Sequence, residues 1–60
     1  MTQQEKLAIA KKIAEYEKKA SMATKQSEID EAMAAMSAIV EQIPSFEDME
    51  EIDQMIQSLL

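Results

Sequence analysis

The sequence predicts an all-α fold, a small antiparallel three-helix bundle with helices at about 3–24, 28–42 and 46–59. Three observations predict it. The sixty residues contain no Gly, Asn, Arg or Trp and are rich in Ala, Glu, Lys, Gln, Met, Ile and Leu, mostly strong helix formers. Apolar residues recur at alternating steps of three and four, the spacing that lines one side of a helix. Clusters of β-branched and aromatic residues bounded by Gly or Asn turns, which strands require, are absent. A hydrophobic content of 47% is too high for a disordered chain, even at a net charge of −6.

The first helix is announced by Thr2 and Glu5, whose T-x-x-E spacing forms a capping box. Ile9, Ile13, Tyr16, Ala20 and Ala23 follow at steps of 4, 3, 4 and 3 and make its expected seam. Lys11, Lys12, Lys18, Lys19 and Lys25 lie off that seam, and Glu15 precedes Lys19 by four, the favourable order for a helical ion pair. Leu7 and Ala14 lie almost opposite the seam, and Leu7 is read either as simply exposed or as part of a second helical contact.

A second stripe runs through Ile29, Met33, Met36, Val40 and Ile43, broadened by Ala32 and Ile39. On one continuous helix the two stripes would lie on opposite sides. A turn around Thr24 to Ser27, with Ser27 capping and Asp30 three residues later, lets both face one core. Met33 and Met36 are expected inside as adaptable fillers. Pro44 disfavours helical geometry at Ile43 and ends this helix near Gln42. Ser45 is the natural cap for a third helix, whose apolar face is read as Phe46, Met49, Ile52, Ile56 and Leu59, with Met55 and Leu60 at its edges.

A single domain this short buries only about 60% of the surface its unfolded chain exposes, so stability is marginal. No Cys or His is present to staple it through a disulfide or a zinc site. Self-association is one remedy. No apolar run approaches the roughly 20 residues of a membrane span, and the start of the chain lacks the uncharged core of a signal peptide. A cytoplasmic protein without a membrane partner is the expectation.

Charge divides the chain. Residues 1–26 hold all six lysines beside three acids, a net +3, whereas residues 27–60 hold nine acids and no base, a net −9. A cationic helix packed between two anionic ones accounts for part of this. Three spare positive charges cannot neutralise nine negative ones, so an acidic outer surface is expected.

Five carboxylates crowd into residues 47 to 53. Glu47 and Asp48 fall in the first turn of the third helix, where the macrodipole favours anions by about 0.3 to 1 kcal/mol each. Glu50, Glu51 and Asp53 lie further in and are read as a solvated face or as a docking surface for a basic partner. With neither Cys nor His and no Gly-rich phosphate loop, no catalytic residue and no cofactor is assigned and a non-enzyme is expected. The acids alternate with core Met and Ile and lack the Gly of a calcium loop, so no metal site is assigned either. Direct nucleic-acid binding is disfavoured, because there is no Arg for base contacts and two thirds of the chain repel phosphate.

The C-terminal I-x-x-L-L pattern at Ile56, Leu59 and Leu60 resembles short leucine-rich helices that dock in hydrophobic grooves. The acidic run before it looks somewhat like a ubiquitin-interacting helix. It departs from that pattern at Met55 and Leu59, where a small Ala and a Ser are expected, and no family is recognised across the chain.

The functional expectation is therefore a non-catalytic protein-binding module, a small acidic regulator, inhibitor or adaptor. Its partner-binding residues are read as Glu47, Asp48, Glu50, Glu51 and Asp53 for a charged rim, with Met55, Ile56 and Leu60 as apolar anchors. A structural homo-oligomer, with Leu7, Ala14 and the Met residues at its interface, is the rival from another class. An acidic mimic of DNA that inhibits a nucleic-acid-binding protein is the other alternative.

Overall fold

A computed structural model describes all sixty residues, Met1 to Leu60. It contains three helices and no strand: α1 (Gln3–Met22), α2 (Gln26–Glu41) and α3 (Phe46–Leu59). The chain is a three-helix bundle in which α1 packs against both other helices, while the backbones of α2 and α3 make few close approaches. Its Cα radius of gyration is 11.7 Å, larger than the roughly 10.4 Å of an average domain of this length. With extents of 35 × 21 × 15 Å the molecule is a slab built on α1. No helix is long and apolar enough to cross a membrane.

The helix ends follow their local chemistry. The Thr2 hydroxyl oxygen accepts the Glu5 N–H at 3.1 Å, and the Glu5 carboxylate accepts the Thr2 N–H at 2.8 Å, completing the capping box. The Ser45 hydroxyl oxygen accepts the Asp48 N–H at 3.2 Å and starts α3. Gln42 caps α2, its N–H donating to the Ile39 carbonyl while the Ile43 N–H donates to that of Val40, and Pro44 follows.

The first turn differs from the expectation. It occupies Ala23 to Lys25, and Lys25, not Ser27, is the N-cap of α2, with no side-chain cap hydrogen bond. Ser27 lies inside the first turn of the helix. Two extended residues, Ala23 (φ −69°, ψ 142°) and Lys25 (φ −120°, ψ 141°), reverse the chain without any positive φ, which is why no Gly is needed. The Lys25 carbonyl accepts the Glu28 N–H at 3.1 Å, and Gln26 Nε2 donates to Asp30 at 3.0 Å, so the helix starts before Ser27 can cap it.

The core is a cluster of Ala10, Ile13, Ile52 and Ile56, with Ile9, Met36, Ile39, Ile43, Met55 and Leu59 packed around it. Ile52 is fully buried. A side chain of this size stabilises by about 1.5–3 kcal/mol when removed from water.

Four expectations about facing are corrected. Ala14, assigned to an oligomer interface, is buried within the chain along with Ala10. A single seam was read on α1, but this helix has neighbours on two sides: Tyr16, Met22 and Ala23 line a cleft with Glu28, Glu31, Ala32 and Ala35 on α2, while Lys6 pairs with Asp48 and Glu51 on α3. Met33, expected inside, is 56% exposed, and Val40 is exposed as well. The α2 seam is rotated towards Ala32, whose small side chain admits close approach to α1, and this leaves Met33 and Val40 outside. Phe46 is 75% exposed. It stands six residues before Ile52, about 120° away around a helix at roughly 100° per residue, so the two cannot share a face.

Candidate functional site

Lys6 sets the orientation of α3. It is buried, one helical turn ahead of Ala10, and its ammonium group donates to Glu51 and lies 3.4 Å from Asp48 Oδ1. The hydrogen bond to Glu51 holds the Lys6 pKa above its ordinary value; burial opposes this, and the charge of Glu51 and contact with Asp48 add to it. The clamp was missed in the sequence because the other lysines lie off the seam. No local spacing signals it, since Lys6 and its two partners lie on different helices, more than forty residues apart.

This clamp divides the five clustered carboxylates. Asp48 turns inward, its side chain only 16% exposed, and Glu51 is drawn to the same ammonium. Glu47, Glu50 and Asp53 are exposed and form no ion pair. The predicted anchors also separate. Ile56 is buried in the core and has no surface to offer, Met55 is half-buried against that core, and Leu60 is 60% exposed.

Phe46, Glu50, Asp53, Gln57 and Leu60 follow one another at steps of 4, 3, 4 and 3 and are all exposed, so they form a single outward stripe on α3. Phe46 and Leu60 stand at its ends, roughly 21 Å apart along the helix at 1.5 Å per residue. Two unpaired carboxylates lie between them, with Glu47 beside the stripe. An exposed aromatic ring and an exposed leucine flanking free acids can receive a cationic, partly apolar chain. Phe46 is the residue that sequence periodicity placed on the wrong face of α3.

A second feature lies elsewhere, a cleft of about 670 Å³ between the C-terminal half of α1 and the N-terminal half of α2. Lys19 lies over the Tyr16 ring at its edge, 5.4 Å from the centroid, in a cation–π contact. The expected Glu15–Lys19 ion pair is not formed. No cluster of carboxylates in the molecule is arranged to hold a metal ion.

No protein-family model matches the chain, and comparisons with curated proteins and with solved structures give no significant match.

Proposed function

We propose that the chain is a non-catalytic protein-binding module, a small acidic regulator, inhibitor or adaptor that docks a basic segment of another protein along the outer face of α3. The observation that carries this is the pairing, on one stripe, of uncovered apolar side chains with carboxylates that no residue of the chain neutralises. Phe46 and Leu60 supply the apolar anchors, and Glu47, Glu50 and Asp53 the field that draws and aligns a cationic partner. Asp48 and Ile56 are turned inward and Glu51, half-exposed, is engaged by Lys6, so these three lie apart from the outward stripe. Met55 borders the face.

The same stripe favours a protein partner over mimicry of DNA. Duplex DNA carries about one charge per 1.7 Å of axis, so the roughly 9 Å from Glu47 to Asp53 would need about five charges and has three. Phe46 and Leu60 extend the stripe with groups that resemble no phosphate.

Capture of partners from a lysate on the immobilised chain, repeated with F46A/L60A and with E50K/D53K, tests the reading. Partners held at low salt should be released near 1 M salt, where screening shortens to about 3 Å, and both variants should fail to hold them. Partners retained equally by the parent chain and both variants would place the binding surface elsewhere.

A further inference from the structure

The cleft between α1 and α2 carries opposite charge on its two walls. Lys18 and Lys19 stand on the α1 wall, and Glu28 and Glu31 on the α2 wall. None of the four is in an ion pair, since the only such pairs in the chain are those of Lys6. We infer that the cleft seats a second copy of this chain, packed face to face about a two-fold axis parallel to the helices.

The choice of axis follows from the charges. A two-fold axis that runs between the faces and along the helices carries each residue to the opposite wall at unchanged height. α1 of one copy then lies across from α2 of the other, and the cationic wall meets the anionic wall twice, as an isologous contact requires. An axis across the helices would set α1 on α1 and like charge on like. The parallel axis also makes every neighbouring pair of helices antiparallel, the arrangement of an up-and-down four-helix bundle.

Shape agrees with charge. Tyr16 and Ala35 line the cleft from opposite helices and are both partly exposed, so the rotation brings the aromatic ring of each copy towards the α2 wall of the other, where small side chains leave room for it. Met22, 81% exposed and lining the cleft, becomes covered. α3 does not obstruct the approach. It contributes nothing to the cleft, and Lys19 lies nine residues from Ala10, half a turn out of phase with the side of α1 that α3 covers.

There is also a stability motive. Only 7 of 60 residues are buried in the single chain, and domains this small commonly gain part of their stability by association. The contact uses a face distinct from the α3 stripe, so the dimer would present two such stripes outward. Dimerisation and partner docking can therefore fail independently.

Sedimentation equilibrium from about 10 µM to about 1 mM, a range that spans weak to moderate affinities, reads the association directly. The parent chain should pass from monomer to dimer, and K18E/K19E or E28K/E31K should each raise Kd by more than about tenfold. Both reversals exchange good helix formers, and circular dichroism confirms that each variant remains helical. Mixing the two variants should restore a heterodimer, because one then presents two anionic walls and the other two cationic ones. F46A/L60A should dimerise as the parent does. A parent chain that stays monomeric throughout the range, or a dimer that survives both reversals, overturns the inference.

Discussion

Ile52 and Phe46 occupy one helix and were read onto one apolar face, yet the structure gives them opposite roles. Ile52 is wholly buried between α3 and α1, and Phe46 is three-quarters exposed. Ile52→Ala removes buried methylenes and leaves a cavity in a core with few other members, which costs about 2–5 kcal/mol. The whole fold holds only about 3–9 kcal/mol at the usual 0.05–0.15 kcal/mol per residue. The substitution should therefore lower Tm by at least about 8 °C, at roughly 4–8 °C per kcal/mol for a chain of this size, and leave a measurable unfolded fraction at 25 °C. Phe46→Ala removes an exposed ring and should change stability by less than about 0.5 kcal/mol. Thermal melts of the two variants followed by far-ultraviolet circular dichroism, at a fixed low concentration, make the comparison. An F46A chain that melts as early as I52A, or an I52A chain that melts with the parent, would refute the assignment of faces on α3.

Further outcomes follow from the caps and the clamp. Ser45→Ala removes the oxygen that accepts the Asp48 N–H and should cost about 0.5–2 kcal/mol, whereas Ser45→Asp should retain the cap; denaturant titration reads both. The Lys6 pKa lies above its ordinary 10.5 because Glu51 binds the ammonium, so the stability it contributes is full below pH 10.5 and is lost as pH rises through the raised value. Lys6→Met should abolish that alkaline loss, seen as a flatter profile of Tm above pH 10.5. The Thr2 N–H holds the Glu5 pKa below its ordinary 4.5, with the Thr2 hydroxyl adding to the effect. That contribution is present above pH 4.5 and lost as pH falls through the lowered value, so Glu5→Gln should weaken the acid dependence of Tm.

The ends of the helices were legible in the sequence because capping is local. Thr2 with Glu5, Ser45, and Pro44 after Gln42 each carry their geometry within four residues. The turn near residue 24 was legible as a necessity, since two opposed stripes demand a reversal, but its cap was not. The facing of each helix was harder to read. Periodicity returns one direction per helix, and α1 needs two, so Ala10 and Ala14 were invisible as core: alanine fits either a buried or an exposed position. Lys6 was unreadable as a buried residue because its role depends on Asp48 and Glu51, more than forty residues away. Of the candidate site, the density of carboxylates was plain from the sequence. Their division into two that hold α3 in place and three that face outward required the fold.

Met36 and Ile39 of α2 pack against the same cluster that holds Ala10 and Ile13 of α1 and Ile52 and Ile56 of α3, so the three helices share one core although the backbones of α2 and α3 make few close approaches. α1 must satisfy two neighbours at every change, while the outer flanks of α2 and α3 answer to solvent alone. A saturation scan of the whole chain for folding should find the narrowest repertoire of accepted residues at Ala10, Ile13, Ala14 and Ile52, and the widest on those outer flanks. On those terms α1 would be the slowest segment to diverge, and the exposed faces of α2 and α3 the parts through which new binding surfaces are acquired.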